Sequence, residues 1–172
     1  MEIRPAAVED AAKIADVHVR SWQGAYRGLI PQAFLDGLDP AERAEMWTRI
    51  TSGVDGTRTG VLVAEDDTGM RGFATFGPTR DEGESAERTG EIGAIYLAPE
   101  AWGTGCGREL MTAVLASLSE AGYRQATLWV LDTNARARRF YQAAGFHEDD
   151  AEKLDDRDEF QQREVRYRRP LP

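Results

Sequence analysis

The segment from Glu91 to Leu110 constrains the fold of this chain most strongly, because it joins an apolar stretch to a glycine-rich turn and a helix start. Residues 91–97 have the composition of a buried strand, and Gly103, Gly105 and Gly107 follow closely. Glycine permits positive φ and lets a ligand approach the backbone. Four N–H groups at a helix N-terminus lack intrahelical partners, and the macrodipole is positive there. The segment therefore predicts a cradle for a phosphate or pyrophosphate group.

The spacing of these glycines excludes two common phosphate-binding motifs. A nucleoside-triphosphatase P-loop requires a lysine after its last glycine, whereas Arg108 and Glu109 stand there. A dinucleotide-binding fold requires Gly-x-Gly-x-x-Gly after its first strand, with an acidic residue about 20 positions on. Here the spacing is Gly-x-Gly-x-Gly, well inside the chain, and Asp132 follows at a greater separation. A plain glycine turn would show the same three residues, so the downstream sequence has to decide.

The residues after the turn predict a helix, a strand and a second helix. Apolar residues recur at helical spacing over residues 106–120, and Gly122 stands where a C-terminal cap is expected. Residues 125–130 indicate a short buried strand. The second helix starts near Asn134 and ends at Gly145. Four of its positions share one face: Asn134, Ala137, Tyr141 and Ala144.

These two motifs, in this order and at this separation, resemble the signatures of the GNAT superfamily of N-acetyltransferases. Residues 102–107 match the signature Gln/Arg-x-x-Gly-x-Gly/Ala except at its first position, where Trp102 replaces Gln or Arg. The signature Asn-x-x-Ala-x-x-x-Tyr followed by Gly-Phe is met in full between Asn134 and Phe146. The resemblance covers nearly the whole chain. It implies an α+β (α/β/α) fold, with a mixed, mostly antiparallel central sheet, helices on both faces and a splay between the central strands.

The remaining sequence predicts elements that fit such a fold. A length of 172 residues suits one domain over 1–172. Asp39 followed by Pro40 is typical of a capped helix start. The other predicted elements are an edge strand at 2–5, a helix at 8–22, a hairpin formed by 61–65 and 71–77, a polar loop at 79–90 with a mobile tip, and a final pair of strands beyond Gly145.

Composition narrows the classes of function. The net charge is −9, from 21 basic and 30 acidic residues, which argues against nucleic acid as a partner and is compatible with a cationic amine. No apolar run approaches the ~20 residues of a membrane helix, and the N-terminus lacks a signal-peptide layout, so we expect a cytoplasmic protein without a membrane partner. One cysteine excludes an internal disulfide. His18 and His147 are too widely spaced to indicate a metal site.

The resemblance implies acetyl-coenzyme A as cosubstrate, and the two separated histidines and single cysteine predict no metal. Arg136, Arg138 and Arg139 form a basic stretch in an acidic chain, and one or more of them could meet the ribose 3′-phosphate; a solvated helix face is the alternative. The end of the central strand, the glycine turn and the second helix are expected to bind the cosubstrate through Ile95, Tyr96, Leu97, Trp102, Gly103, Thr104, Gly105, Cys106, Gly107, Arg108, Asn134, Ala137 and Tyr141.

Two residues are candidates for proton transfer. Tyr141 is the candidate general acid, since a phenol can protonate a leaving thiolate; a tyrosine that only packs its ring is the alternative. Glu91 is the candidate base, because it lies eleven residues before Trp102, the offset of a catalytic glutamate in the histone-type branch of the family. An exposed strand-edge glutamate is the alternative there. The backbone N–H of Leu97 is expected to polarise the thioester carbonyl. Cys106 is disfavoured as a nucleophile, since glycines flank it and no histidine is near in sequence.

The resemblance implies that the first two helices and the final strand pair form the wall that faces the acetyl group. This wall would include Trp22, Tyr26 and Arg27, and the two aromatic residues are candidates for acceptor contact, although helix-face aromatics are usually core residues. An acidic run could add to that wall, although such runs are usually solvated: Glu148, Asp149, Asp150, Glu152, Asp155, Asp156, Asp158 and Glu159.

Three functions remain open from the sequence. The first is acetylation of a small primary amine, in the style of the antibiotic- or phosphinothricin-detoxifying members. The second is protein acetylation at a lysine or an N-terminus, and the third is a non-catalytic acyl-coenzyme A sensor. The joint presence of Tyr141 and Glu91 speaks against the sensor. Dimers are frequent in the resembling family, so a homodimer is compatible with the sequence.

Overall fold

The computed structural model describes residues 1–157 and 160–172 and contains one seven-stranded sheet in the order β1-β2-β3-β4-β5-β7-β6. Neighbouring strands are antiparallel except β4 and β5, which are parallel. The predicted mixed, mostly antiparallel sheet is therefore confirmed. The strands are β1 (Glu2–Pro5), β2 (Gly60–Asp66), β3 (Gly69–Pro78), β4 (Thr89–Leu97), β5 (Gln125–Leu131), β6 (His147–Arg157) and β7 (Phe160–Pro170). The helices are α1 (Ala11–Ala25), α2 (Gln32–Asp36), α3 (Pro40–Gly53), α4 (Cys106–Glu120) and α5 (Ala135–Ala143).

Helices cover both faces of the sheet, because alternate residues of a strand point to opposite sides. On one face Leu62 belongs to the core that α4 completes with Leu110 and Leu118. On the other face Val61 and Val63 belong to the core of α1 and α3. Both layers pack against the middle of the sheet, which leaves the ends of the central strands for a site.

The predicted helix boundaries hold at α3 and shift at α1. Asp39 caps α3 and accepts a hydrogen bond from the Ala41 N–H at 2.9 Å. The helix predicted at 8–22 begins instead at Ala11 and extends to Ala25, after a 3₁₀ turn that ends at Asp10. This extension brings the following residue, Tyr26, to the C-terminal cap of α1. Helix α2 is too short to produce a clear periodic pattern in the sequence.

Ion pairs fix the loop at 79–90, for which the sequence predicts a mobile tip. The Arg166 guanidinium donates to Asp81 at 3.0 Å and lies 3.3 Å from Glu84. Arg168 also pairs with Glu84, and the Arg168 guanidinium keeps the pKa of that carboxyl below its usual range. Residues about 85 positions further along the chain therefore anchor Asp81 and Glu84 of this loop, and the mobility of its tip stays a prediction. In the described residues, no helix has the length and apolarity needed to cross a membrane.

Candidate active site

The site lies where β4 and β5 separate. The two strands pair only from Thr89 with Gln125 to Glu91 with Thr127, although β4 continues to Leu97 and β5 to Leu131. The predicted splay between the central strands is thus present. A cavity of about 640 Å³ occupies the gap, and α1, α5, the glycine turn, β6 and β7 supply its other walls.

A β-bulge bends β4 at this point. Ala94 pairs with Thr75 and Ile92 pairs with Phe76, so Gly93 is an extra residue between them. A bulge kinks its strand and increases the local twist. A Cβ at Gly93 would lie 2.9 Å from the Thr75 hydroxyl oxygen, so a larger residue there would have to displace the Thr75 side chain. The bend directs the second half of β4 away from β5 and opens the cavity.

The glycine turn presents open backbone to the cavity. Gly103 has φ +74° and Gly105 has φ +94°, a region that residues with a Cβ rarely adopt. Gly105 is the N-cap of α4, so the N–H groups of the first turn of the helix follow it directly. Gly103, Gly105, Gly107 and Arg108 line the cavity. A Cβ at Gly103 would meet nothing within 4 Å, which shows that the space above the turn is empty of protein.

Trp102, which replaces the family's Gln or Arg, forms a platform for an arginine. Its indole packs on α1, where a Cβ at Gly24 would lie 2.7 Å from the ring, and its Nε1 donates to the Leu97 carbonyl at 3.3 Å. The Arg136 guanidinium lies 4.1 Å from the centroid of this ring. Both side chains line the cavity. A guanidinium is therefore held beside the helix start even though the signature lacks its charged residue.

Helix α5 supplies the opposite wall. Asn134 caps it by accepting a hydrogen bond from the Ala137 N–H at 3.1 Å, as the sequence predicts, and both residues line the cavity. Tyr141 follows on the same wall with 9% of its surface exposed, and its ring packs against Phe146. Burial raises the pKa of the Tyr141 phenol well above its usual range. Phe140, which is partly buried and packs against the core, also lines the cavity.

Glu91 lies at the last paired position of β4 before the splay. Its side chain is 10% exposed and lines the cavity. One carboxylate oxygen accepts a hydrogen bond from the Arg80 N–H at 3.2 Å, and the Arg80 guanidinium lies 3.7 Å from the other oxygen. The alternative of an exposed strand-edge glutamate is therefore wrong, because the Glu91 side chain is largely buried.

The predicted aromatic residues come together on one side of the cavity. Trp22 and Tyr26 of the first helix region have ring centroids 4.8 Å apart, and Tyr96 of β4 lies 6.2 Å from Trp22. All three line the cavity, as do Ile95 and Leu97. The strand end and the aromatic pair therefore face the same space.

Two residues of the glycine turn that were predicted to bind the cosubstrate do not line the cavity. Cys106 is fully buried in the core, because the first turn of α4 directs it inward, and burial raises the pKa of its thiol. A buried thiol with a raised pKa is a poor nucleophile. Thr104 is exposed, and its hydroxyl donates to the Ala101 carbonyl at 2.7 Å. Only the backbone of these two residues belongs to the turn.

Most of the acidic run lies outside the cavity. Glu148 pairs with Arg138, Asp149 with Arg166 and Arg168, and Glu152 with Arg163. Arg138 also donates to the Tyr167 hydroxyl at 3.0 Å, so it supports the fold. Among the described members of the run, Asp155 alone lines the cavity. Asp158 and Glu159 lie outside the described residues.

Sequence reasoning missed several polar residues of the cavity wall. Lys153 lies 4.4 Å above the ring of Trp129 and 3.6 Å from Glu164. The buried Gln162 amide donates to Asp155 at 3.0 Å and to Glu164 at 3.4 Å. The missed residues are Arg80, Trp129, Lys153, Gln162 and Glu164. In residues 1–157 and 160–172, no three His, Cys, Asp or Glu side chains gather into a group that could hold a metal.

A splayed parallel strand pair that leads to a glycine-capped helix start defines an enzyme of the N-acetyltransferase class, and comparisons with known proteins agree. A family model described as the acetyltransferase (GNAT) family matches residues 19–146. The uncharacterized N-acetyltransferase YuaI of Bacillus subtilis is 37% identical over 142 residues, which cover 82% of this chain and 77% of YuaI. The chain therefore belongs to the acetyltransferase (GNAT) family.

Solved structures show the same fold. The PaiA N-acetyltransferase from Thermoplasma acidophilum, in complex with coenzyme A, has a TM-score of 0.73 at 20% identity and covers 99% of this chain and 98% of its own. YncA from Salmonella typhimurium, a putative acetyltransferase with its cofactor acetyl-CoA, has a TM-score of 0.73 at 20% identity and covers 100% of this chain and 94% of its own.

Proposed function

We propose that this enzyme transfers the acetyl group of acetyl-coenzyme A directly to the primary amine of a small molecule. One observation carries the proposal: a single cavity connects the glycine turn, the free edge of β4, Tyr141 and Glu91. The coenzyme A bound to PaiA and the acetyl-CoA bound to YncA support the same choice of acyl donor. The donor supplies a thioester, whose carbonyl accepts a nucleophile and whose sulfur leaves as a thiolate.

The residues at the glycine-turn end of the cavity fit a phosphorylated donor. The turn offers N–H groups at a helix N-terminus, and the empty space above Gly103 and Gly105 admits a pyrophosphate. Arg108 and Arg136 line this end, and within the described residues neither is paired with a carboxylate. Two uncompensated guanidiniums in a chain of net charge −9 are suited to phosphates.

The free edge of β4 is suited to hold the pantetheine arm. Among the described residues this strand has no partner on its β5 side beyond Glu91, so its edge from Ile95 to Leu97 can bind an extended ligand as a strand would. The backbone groups of Ile95 and Leu97 point to this edge, whereas those of Tyr96 point toward Phe73 of β3. The Leu97 N–H is the proposed donor to the thioester carbonyl. Trp102 supports this position, because its indole holds the Leu97 carbonyl.

Proton transfer is assigned to Glu91 and Tyr141. The ammonium form of the acceptor loses one proton to the Glu91 carboxylate through water, and the neutral amine attacks the carbonyl carbon. As the C–N bond forms and the C–S bond breaks, the nitrogen releases its second proton to water and the Tyr141 hydroxyl gives its proton to the departing thiolate. The Tyr141 phenolate and the protonated Glu91 then return to their starting states by proton exchange with water. Cys106 takes no part, since it is buried in the core beneath the turn. Transfer is therefore direct.

Arg136→Ala is expected to weaken acetyl-coenzyme A binding about 5- to 30-fold, because a phosphate loses one charge-assisted hydrogen bond. Titration calorimetry measures the dissociation constant. Arg139→Ala is the matched control, since Arg139 is exposed on the same helix and does not line the cavity. Equal affinities of the two variants would remove Arg136 from the phosphate site.

Glu91→Gln is expected to lower kcat about 10- to 100-fold at pH 7, because the amine then has no carboxylate to receive its proton. The deficit should shrink as pH rises, since the amine loses its proton unaided. A pH profile of kcat measures this, with Glu82→Gln in the neighbouring loop as control. A deficit that stays constant with pH would assign Glu91 a structural role only.

We propose a small acceptor rather than a protein because the end of the cavity at Glu91, the acceptor end, is lined on several sides, by residues of α1, β4, β5, β6 and β7. An acetyl-coenzyme A-dependent assay over polyamines, amino acids, aminoglycosides and peptides, read by mass of the acetylated product, tests the proposal. Acetylation of peptides alone would favour the protein acetyltransferase. Tight cofactor binding without turnover would favour the sensor. The cytoplasmic location, the absence of a metal or a nucleic-acid partner, the single domain over 1–172 and the homodimer stay predictions.

A further inference from the structure

The acceptor end of the cavity carries a rigidly anchored arginine, Arg80. The residues on either side of it are fixed: the Thr79 N–H donates to the Thr89 carbonyl at 3.0 Å, and the Asp81 carboxylate accepts a hydrogen bond from the Trp129 indole at 3.1 Å. The Arg80 side chain lines the cavity and is 85% exposed. Its backbone is therefore held in place while its guanidinium remains accessible to a ligand.

Arg80 and Glu91 form an open ion pair at this end. The guanidinium lies 3.7 Å from the carboxylate, which is longer than a close hydrogen-bonded pair. An ion pair with one solvated partner contributes little, because water screens it and the long side chain loses freedom. A ligand can therefore separate the two charges at small cost, provided that it satisfies both of them.

A second cation on this wall is less accessible than Arg80. Lys153 lies 3.6 Å from Glu164 and 4.4 Å above the Trp129 ring, and its side chain is 46% exposed against 85% for Arg80. Beyond Glu91, Arg80 has no ion pair or ring contact among the described residues. Arg80 is therefore the more accessible positive charge on this wall.

We infer that the acceptor is a free amino acid or a close analogue, with a carboxylate or similar anion a few bonds from its amine. The inference rests on the proposed function and names its substrate class. The amine lies toward Glu91, where it must lose a proton, and the anion binds Arg80. A purely cationic acceptor would satisfy Glu91 but would be repelled by Arg80. A zwitterion gives each charge an opposite partner.

Matched acceptors test this directly. Leucine, leucinamide and isoamylamine share a side chain and differ in the group beside the amine; phenylalanine, glutamate and methionine with their amides and decarboxylated amines extend the series. The free acids are expected to show kcat/KM at least about tenfold above their amides, the discrimination that one charge-assisted contact supplies. We expect the free acids to be better substrates even though the α-amine of an amino acid amide is less basic than that of the free acid, so that more of it is neutral and reactive at pH 7.

Arg80→Ala is expected to lower kcat/KM for the free acids about 10- to 100-fold, mainly through KM, and to change it less than about threefold for the amides. Arg80→Lys should restore part of the loss. Arg88→Ala is the matched control, since Arg88 lies in the same loop and does not line the active-site cavity. Folding is not at risk, because the anchoring hydrogen bonds of this loop use backbone groups and other side chains.

Each outcome has a distinct meaning. Equal use of acids and amides, turnover of polyamines or peptides without the free amino acids, or an equal loss for both acceptor types in Arg80→Ala would overturn the acceptor class alone. Failure of the wild-type enzyme to bind acetyl-coenzyme A would overturn the proposed function, and the acceptor class with it.

Discussion

Gly105→Val is expected to weaken acetyl-coenzyme A binding by about 100-fold or more. Gly105 has φ +94°, which a β-branched residue adopts only with strain. The space above it contains little protein, since a Cβ there would meet only the Arg108 guanidinium, at 3.7 Å. The valine methyl groups would therefore enter the volume proposed for the pyrophosphate and would tilt the N–H groups that follow. Titration calorimetry with coenzyme A measures the effect.

Backbone strain alone has to be separated from loss of the cradle. Gly122 provides the control, because it has φ +89° at the other end of the same helix and nothing lies within 4 Å of its Cβ position. Both valine variants should lower the free energy of unfolding by about 1–2 kcal/mol. Gly122→Val should keep the affinity of the wild type. A Gly105→Val protein that binds coenzyme A normally would show that the phosphate site lies elsewhere.

The parts of the site that sequence predicts are those built from short stretches of chain. The glycine turn depends on φ values that only local residue choice controls, and the Asn134 cap involves a residue three positions away. Both therefore leave a readable pattern. Cys106 shows the limit of such reading: its place between two glycines suggests the cradle, but the helix turns its side chain into the core.

The parts that sequence misses come from distant segments of the chain. Arg80 faces the cavity because Trp129 and Arg166, 48 and 85 residues away from Asp81, fix the loop that carries it. Lys153 and Glu164 reach the wall through the pairing of β6 with β7. The sequence does not indicate which strand will lie beside a given polar side chain. A solvated polar loop and a loop anchored by distant residues therefore have the same sequence pattern. The prediction that the acidic run forms part of the acceptor wall is wrong for most of its described members for the same reason, since their partners are arginines of β7 and α5.

Tyr141→Phe is expected to lower kcat about 10- to 1000-fold, with little change in the dissociation constant of acetyl-coenzyme A. The removed hydroxyl is the proposed source of the proton for the leaving thiolate. Burial raises the pKa of this phenol, so it stays protonated over the whole working range. The same low dielectric also raises the pKa of a thiolate formed beside it, which keeps the proton transfer feasible. Single-turnover rates with the best acceptor measure the step.

A second tyrosine distinguishes chemistry from packing. Tyr123 is also buried, and its hydroxyl donates to the Arg58 carbonyl at 3.0 Å, away from the cavity. Tyr123→Phe should therefore cost stability but leave kcat close to that of the wild type. In Tyr141→Phe no phenol is left to protonate the leaving thiolate, and a change of acceptor does not alter this. A thiolate that is a better leaving group depends less on protonation. An acetyl thioester of a more acidic thiol should thus narrow the deficit of Tyr141→Phe. An undiminished deficit with such a donor, or an unchanged kcat with acetyl-coenzyme A, would leave Tyr141 as a packing residue of α5.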